Sequence, residues 1–377
     1  MTVKNASVFT KDGCFQTQDI YVEGERFAQT PSDTKCIDAD GYLLVPGLID
    51  IHFHGCAGYD FCDATNEALQ KIAEYELKNG ITSICPATMS LPEESLITIS
   101  KNAVSYRNAW KPKDTSRLCG IHLEGPFLSL EKKGAQNPRY IKATDADMFN
   151  HICDVADGLV KLITIAPETQ NAMEFIKTVS SAVSVSIGHT VCDYETAYNA
   201  FLAGASHVTH LFNAMPPLTH RSPGPIAAAF DCTSVTAELI CDNIHVAPAA
   251  VRAAFSLFGD GRMILVSDSM RAAGMPDGRY TLGGLSVQVS GSQATLDDGT
   301  IAGSVTNLAD CMRIAVTQMN IPVESAVKAA TINPAKVIGE DREYGSIEVG
   351  KYADFLLLDA DTLEVKKVFL HGRAVCD

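Results

Sequence analysis

Two histidines, His52 and His54, close a short apolar run near the start of the chain, and Gly55 follows them. In an extended strand, successive side chains alternate between the two faces, so these imidazoles point the same way about 7 Å apart. Two imidazoles at the end of a strand can bind one metal ion together. An edge strand with two exposed polar residues has the same pattern, so this pair alone leaves both interpretations open.

Further residues with metal-binding or acid–base chemistry stand at the ends of later apolar runs. They are His122 and Glu124 in IHLEG, His189 in GHT, His210 in THLFN and Asp268 in VSDS. Imidazole and carboxylate are ligands of zinc and similar divalent ions. Such an ion lowers the pKa of a bound water to about 7, and a nearby carboxylate can take up the proton of that water. The sequence therefore predicts a hydrolytic metal site, with Asp268 as the acid–base residue.

The elements that must position these residues alternate along the middle of the chain. Eight apolar runs cover residues 43–54, 81–86, 118–124, 159–166, 183–189, 206–211, 234–242 and 263–268. Amphipathic patterns typical of helices lie between them, for example at 67–78, 172–181, 193–203 and 248–257. This alternation predicts an α/β fold, a (β/α)8 TIM-type barrel, in which the active site lies at the carboxyl ends of the strands. Strand-like segments at 280–301 are predicted to decorate the loop after the eighth strand.

Both ends of the chain are rich in short β segments separated by turn signals such as Asp-Gly and Glu-Gly. We expect the two termini to join in one small β-sandwich. The predicted domains are this β-sandwich, residues 1–45 and 341–377, and the barrel, residues 46–340.

Composition narrows the class of protein. The 377 residues are 46% hydrophobic and 20% charged, and the net charge is −15, which argues against nucleic-acid binding. The twelve cysteines include no CxxC pair, which favours reduced thiols over a disulfide framework. The first residues lack the apolar core of a signal peptide, and no run approaches the roughly 18 apolar residues of a membrane span. We expect a cytoplasmic protein without membrane partners.

Several longer strings carry a resemblance to a known family. HLEGPFL (122–128), KKGAQNP (132–138), THLFNAMPPL (209–218), RSPG (221–224), DNIHV (242–246), VSDSMRAAGMPDG (266–278) and GSIEVGKYADFLLLD (345–359) occur in order. With them the chain resembles the N-acetylglucosamine-6-phosphate deacetylases of the amidohydrolase superfamily. The resemblance implies removal of acetate from N-acetylglucosamine 6-phosphate by hydroxide on a divalent metal, with Asp268 acting as general base and then as general acid.

The same resemblance assigns metal ligands. It implies that Glu124, His189 and His210 bind one ion, and that His52 and His54 bind a second ion with Glu124 as the bridge. No lysine stands at the end of the fourth strand, so a carbamylated-lysine bridge is not expected. Zinc is the expected metal, and ferrous iron accepts the same ligands.

For the sugar phosphate, the resemblance points to the backbone N–H groups of Asn213 and Ala214, to Arg221 and to His245. In the family, the arginine contact can come from a neighbouring subunit, which implies a homodimer. Gln136 stands where several relatives have a histidine that is associated with substrate contacts. Glutamine can donate and accept a hydrogen bond but cannot carry a charge.

These motifs leave alternatives open for the substrate, the activity and the metal. The substrate could instead be the galactosamine epimer or another N-acyl compound, or the chain could be an inactive scaffold. The sequence leaves the metal and the number of ions open. His122 shares a face with Glu124 and could support it, whereas strict alternation turns His207 away from His210.

Overall fold

The computed structural model describes residues 1–30 and 35–375, and its strands fall into four groups along the chain. The amino-terminal group is β1 (Thr2–Phe9), β2 (Phe15–Glu23), β3 (Arg26–Ala28), β4 (Cys36–Asp38) and β5 (Tyr42–Pro46). The central group is β6 (Leu48–Asp50), β7 (Gly55–Cys56), β8 (Tyr59–Asp60), β9 (Ile81–Ile84), β10 (Ala87–Thr88), β11 (Arg117–Leu118), β12 (Ile121–Glu124), β13 (Val160–Ile165), β14 (Ser184–Ile187), β15 (His207–Val208), β16 (Thr236–Ile240) and β17 (Met263–Val266). An inserted group is β18 (Gly278–Leu282), β19 (Leu285–Ser290) and β20 (Gln293–Leu296), and the last group is β21 (Phe355–Asp359), β22 (Val365–Leu370) and β23 (Arg373–Ala374).

The helices alternate with the central strands, and polar caps begin several of them. They are α1 (Asn66–Lys78), α2 (Glu93–Ala109), α3 (Ala146–Ala156), α4 (Ala172–Val179), α5 (Tyr194–Ala203), α6 (Gly224–Asp231), α7 (Pro248–Phe258), α8 (Leu308–Thr317), α9 (Val323–Ala330) and α10 (Ile332–Val337), with a 3-10 turn at Phe61–Asp63. The side chains of Thr65, Asp145, Asp193 and Asn307 accept hydrogen bonds from the first turns of α1, α3, α5 and α8. Such caps satisfy backbone N–H groups that have no partner within the helix.

The central strands form the predicted barrel. Its eight positions in order are β6, β9 with β10, β11 with β12, β13, β14, β15, β16 and β17, and neighbouring positions pair in parallel. The first and eighth positions meet where the Asp268 N–H donates to the His52 carbonyl at 2.9 Å. The (β/α)8 fold is therefore confirmed, and the barrel is closed by residues of the predicted site.

The barrel strands are buried on both faces, because helices cover the outside and side chains fill the interior. β17 and most of β16 are fully buried, yet β16 carries Glu238 in its centre. A buried charged group is tolerated where hydrogen bonds satisfy it. The interior of the barrel therefore contains polar contacts that support the site above it.

Strands from both ends of the chain join, as predicted, and they do so in one hydrogen-bonded sheet where a β-sandwich was expected. The strand order is β23-β22-β21-β5-β1-β2-β3, with β4 beside β1. Apolar side chains from both ends of the chain, including Val3, Phe27, Phe355 and Phe369, pack in one cluster. Division of the chain at 45/46 and 340/341 stays a prediction.

The insertion after β17 is a three-stranded antiparallel sheet, β18-β19-β20, which confirms the strand-like character predicted for 280–301. It packs on its own apolar cluster and brings Leu282 and the 300–303 segment to the rim of the barrel. Among the helices of residues 1–30 and 35–375, none has both the length and the apolar character needed to cross a bilayer.

Candidate metal centre

The predicted metal and acid–base residues converge at the carboxyl end of the barrel. Glu124 is the last residue of β12, and four others each stand two residues beyond a strand end: His52, His189, His210 and Asp268. The backbone there leaves the extended conformation, with φ values of 47° at His189, 29° at His210 and 47° at Asp268. Left-handed backbone is uncommon for residues other than glycine, and it occurs often at functional sites.

Glu124, His189 and His210 form one cluster whose ligand atoms point at each other. The Nε2 atoms of the two histidines are 3.1 Å apart, and they lie 3.0 and 3.2 Å from Glu124 Oε1. His189 Nδ1 donates to the carbonyl of Lys132 at 2.9 Å, which leaves the Nε2 lone pair for a ligand. A carboxylate and two imidazole nitrogens that meet in this way fit a divalent cation.

His52 and His54 form a second cluster with the same carboxylate. His52 Nε2 lies 3.3 Å from Glu124 Oε1, and His54 Nε2 lies 3.3 Å from Glu124 Oε2. His52 Nε2 is buried and makes no hydrogen bond within the described part of the chain. Glu124 thus faces histidines with both oxygens, so its carboxylate belongs to both clusters. This arrangement fits the two-ion interpretation of the sequence, and it excludes an exposed edge strand at 52–54, where both histidines are buried.

Asp268 lies between the second cluster and the open cavity. Its Oδ1 is 3.3 Å from His54 Nε2 and 3.7 Å from His52 Nε2. Burial would raise the pKa of Asp268, but its contact with His54 and the electrostatic influence of the neighbouring imidazoles outweigh burial and hold the pKa below its usual range. The carboxyl is therefore ionised at neutral pH and able to accept a proton.

The charge of Glu124 is set in the same way. Burial would raise its pKa, but the electrostatic influence of His52 and the close contacts with His189 and His210 hold that pKa well below its usual range. Gln136 adds a further contact, since its Nε2 donates to Glu124 Oε2 at 2.6 Å and its Oε1 accepts from the Ser90 N–H at 2.7 Å. Gln136 lines the cavity, but its amide already binds a predicted metal ligand. The structure therefore places it as a support of Glu124.

A cavity of about 440 Å³ opens above the two clusters. All the predicted site residues except His52 and Arg221 line this cavity, and His52 is buried beneath it. The lining residues are His54, Glu124, Gln136, His189, His210, Asn213, Ala214, His245 and Asp268. The cavity is also lined by Glu131, Lys132, Lys133 and the 300–303 segment. Arg221 is exposed on the loop before α6, outside the lining of this cavity.

His245 brings a positive charge to the wall of this cavity, with both of its ring nitrogens engaged by neighbouring acceptors. Its Nδ1 lies 2.7 Å from Asp242 Oδ2, and its Nε2 lies 3.0 Å from the carbonyl of Ala302. Both partners are acceptors, so both ring nitrogens carry protons. Burial would lower the pKa of His245, but the hydrogen bond and charge of Asp242 outweigh burial and raise it.

Asn213 and Ala214 follow His210 in a tight turn. The backbone N–H of Asn213 donates to the His210 carbonyl at 2.9 Å, so this donor is engaged within the turn. The expected phosphate contact from this N–H is therefore not preformed, although both residues line the cavity.

Sequence reasoning missed Glu238 and misplaced His207. His207 points into the barrel, where its Nε2 donates to Glu238 Oε1 at 3.0 Å. The prediction assumed strict alternation from His207 to His210, and the left-handed backbone at His210 breaks that alternation. His122 lies against His52, with ring centroids 4.6 Å apart, and contacts Thr164 rather than Glu124. A glutamate within the apolar run TAELI was the available signal for Glu238.

Comparison with known proteins gives concordant matches. A model of the amidohydrolase family matches residues 43–375. The N-acetylglucosamine-6-phosphate deacetylase of Bacillus subtilis (strain 168) is 38% identical over 365 residues, which cover 95% of this chain and 90% of that protein. The protein of the same name from Bos taurus is 33% identical over 385 residues, covering 97% and 93% of the two chains.

Solved structures agree over the whole chain. The N-acetylglucosamine-6-phosphate deacetylase from Pasteurella multocida superposes with a TM-score of 0.93 at 30% identity, covering 100% of this chain and 99% of that one. An aspartate-to-alanine mutant of the enzyme from Mycobacterium smegmatis, in complex with N-acetyl-D-glucosamine 6-phosphate, gives a TM-score of 0.92 at 31% identity, with the same coverage.

Proposed function

The chain belongs to the amidohydrolase family, and we propose that it removes the acetyl group from N-acetylglucosamine 6-phosphate. The products are glucosamine 6-phosphate and acetate. The observation that carries this conclusion is the buried cluster of histidines and carboxylates at the base of a cavity whose wall bears a positively charged imidazole. Such a site can activate water at one end of a substrate and bind an anion at the other.

Glu124, His189 and His210 would hold one divalent ion, and His52 and His54 a second, with Glu124 shared. We propose zinc, with ferrous iron as the alternative, because both accept imidazole and carboxylate ligands. When bound, such an ion acidifies water and polarises a carbonyl oxygen. Gln136 and the carbonyl of Lys132 hold Glu124 and His189 in the orientation that this requires.

Asp268 supplies the proton transfers. Its ionised carboxylate takes a proton from the attacking water as the new bond to the acetyl carbon forms. It then gives that proton to the sugar nitrogen as the carbon–nitrogen bond breaks. Two backbone hydrogen bonds hold Asp268 in position for these transfers. Its N–H donates to the His52 backbone carbonyl at 2.9 Å, and its own carbonyl accepts from the Ser304 N–H at 2.7 Å.

The phosphate group is proposed to lie against His245 and the turn at Asn213 and Ala214. A doubly protonated imidazole favours an anion. The exposed position of Arg221, outside its own cavity, supports a homodimer in which Arg221 reaches the neighbouring site, where its planar guanidinium suits phosphate. Free thiols at the described cysteines support a reducing compartment, and we propose the cytoplasm.

The test is a paired measurement of acetate and primary amine release. N-acetylglucosamine 6-phosphate should react fastest, and the galactosamine epimer and unphosphorylated N-acetylglucosamine should react more slowly. Equal or faster turnover of either comparison substrate would reject the assignment of substrate. Absence of turnover in protein with its full metal content would favour an inactive scaffold instead.

Asp268→Asn should keep the metal content and lose activity by at least about 100-fold, the low end for general acid–base catalysis. Asp260→Asn is the matched control, since Asp260 is exposed and precedes β17 at the opposite end of the barrel. If Asp268→Asn turns over at the rate of this control, Asp268 is not the acid–base residue.

A further inference from the structure

A buried carboxylate below the two metal clusters has no part in the chemistry described so far. Glu238 stands in the middle of β16, is 0% exposed, and accepts three hydrogen bonds. His52 Nδ1 lies 2.8 Å from its Oε2, His207 Nε2 lies 3.0 Å from its Oε1, and the His210 backbone N–H lies 3.0 Å from its Oε2. Two of these three partners are predicted metal ligands.

We propose that Glu238 is the positioning residue of the metal centre, and that it fixes His52 as a ligand of the second ion and anchors the turn that carries His210. This inference rests on the proposed metal-dependent function. A carboxylate can only accept hydrogen bonds, so Glu238 requires the proton of His52 to sit on Nδ1. The lone pair of His52 Nε2 is then directed at Glu124 and Asp268. A carboxylate behind a ligating imidazole fixes its tautomer and orientation and strengthens it as a ligand.

A competing interpretation is an inner ion held by His52, His122 and Glu238, whose ligand atoms also lie close together. The hydrogen bonds argue against it. His122 Nδ1 lies 3.2 Å from the Ile51 carbonyl and can only donate there, so His122 Nε2 accepts from the Thr164 hydroxyl at 2.7 Å. His122 therefore has no lone pair left for an ion.

The primary test is zinc binding to metal-free protein, measured by competition with a chelator and by elemental analysis after dialysis. Glu238→Gln keeps the shape of the side chain, but its amide must present a donor where the carboxylate accepted. Loss of such a partner typically weakens metal affinity about 10- to 100-fold, and we expect a loss in this range. Unchanged zinc affinity and content in Glu238→Gln would overturn the proposal.

Glu76→Gln is the matched control, since Glu76 is also 0% exposed, and within the described residues neither of its oxygens has a hydrogen-bond partner. The zinc affinity of this variant should equal that of the parent, because Glu76 contacts no predicted metal ligand. An equal loss in both variants would show a general effect of altering a buried glutamate and would also overturn the proposal.

A double-mutant cycle tests whether Glu238 acts through His52. If it does, Glu238→Gln should weaken zinc binding less in the His52→Gln background than in the parent, because the positioned ring is already absent. The same loss in both backgrounds would reject this route. If Glu238→Gln does not fold, Glu238→Asp serves instead: it keeps the buried charge but is too short by one methylene, and parent-like zinc affinity would contradict the proposal.

Zinc affinity separates this inference from the proposed reaction. Weakened zinc binding in Glu238→Gln supports the positioning role even if the parent protein releases no acetate. Acetate release by the parent with unchanged zinc binding in the variant supports the reaction and rejects the positioning role.

Discussion

Four buried carboxyl groups in and around the barrel differ in charge although all are shielded from water. Glu124 and Glu238 lie among histidines, and their pKa values are held well below the usual range. Asp50 ends the first strand and Glu76 lies in α1, and burial raises their pKa values to about 7 and about 8. All four are between 0% and 2% exposed.

The difference shows that burial alone does not decide the charge of a carboxyl group. Burial raises all four pKa values, because it removes the water that stabilises an anion. Imidazoles reverse the effect at Glu124 and Glu238. Asp50 receives hydrogen bonds from the Ser267 hydroxyl at 2.6 Å and from the His52 N–H at 3.2 Å, and these do not suffice. Glu124 and Glu238 are therefore anions beside the histidines, whereas Asp50 and Glu76 keep their protons up to a much higher pH.

The comparison is tested most strongly at Glu124, which faces both metal clusters. Glu124→Gln removes the anion shared by both clusters, so metal content after dialysis and acetate release should both fall by more than the roughly 10- to 100-fold typical of an outer partner. Elemental analysis and the acetate assay measure this. Glu131→Gln, at the exposed rim of the same cavity, should retain both properties. Full metal content in Glu124→Gln would refute its role as the shared ligand.

The second prediction concerns Glu76. In the folded protein its pKa is about 8, whereas the ordinary value is about 4.3, so between these pH values only the unfolded chain has lost the proton. The free energy of unfolding should therefore fall as pH rises through this window, by up to about 1.4 kcal/mol per pH unit from this group. Above about pH 8 the slope from Glu76 ends, because both states are ionised.

Glu76→Gln should remove this part of the slope, as measured by urea unfolding at pH 6, 7 and 8. The relevant quantity is the change of unfolding free energy with pH, since the amide also alters packing at every pH. Glu74→Gln is the control, because Glu74 is a half-buried residue of the same helix whose pKa is lowered, so the group does not titrate in this range. Equal slopes in the parent and Glu76→Gln would mean that Glu76 is ionised in the folded state.

The smallest change in the free energy of unfolding is expected for a carboxylate on the protein surface. Glu364 pairs with Lys366 at 2.7 Å, with side chains 58% and 40% exposed. Exposed pairs typically contribute about 0–1 kcal/mol, so Glu364→Gln should change the free energy of unfolding by less than about 1 kcal/mol, as measured by urea unfolding. A larger change would show that partners matter as much at the surface as in the interior.

The sequence by itself determined the fold class, the end of the barrel that carries the chemistry, and the ligand types. Alternating apolar runs and amphipathic segments are local patterns, and in a parallel barrel every strand end must face the same side. For this reason Glu124, His189, His210 and Asp268 could be grouped before their distances were known. The same logic made His52 and His54 plausible ligands, although the pair alone was ambiguous.

Only the tertiary structure decided which atoms touch. It turned Gln136 onto Glu124, placed Arg221 outside its own cavity, and brought Glu238 from the seventh strand under His52 on the first. These contacts join residues up to 186 positions apart, and they depend on register and on left-handed backbone at strand ends. Local periodicity predicts neither the register nor the left-handed backbone, because the alternation of side chains holds only while a strand stays extended.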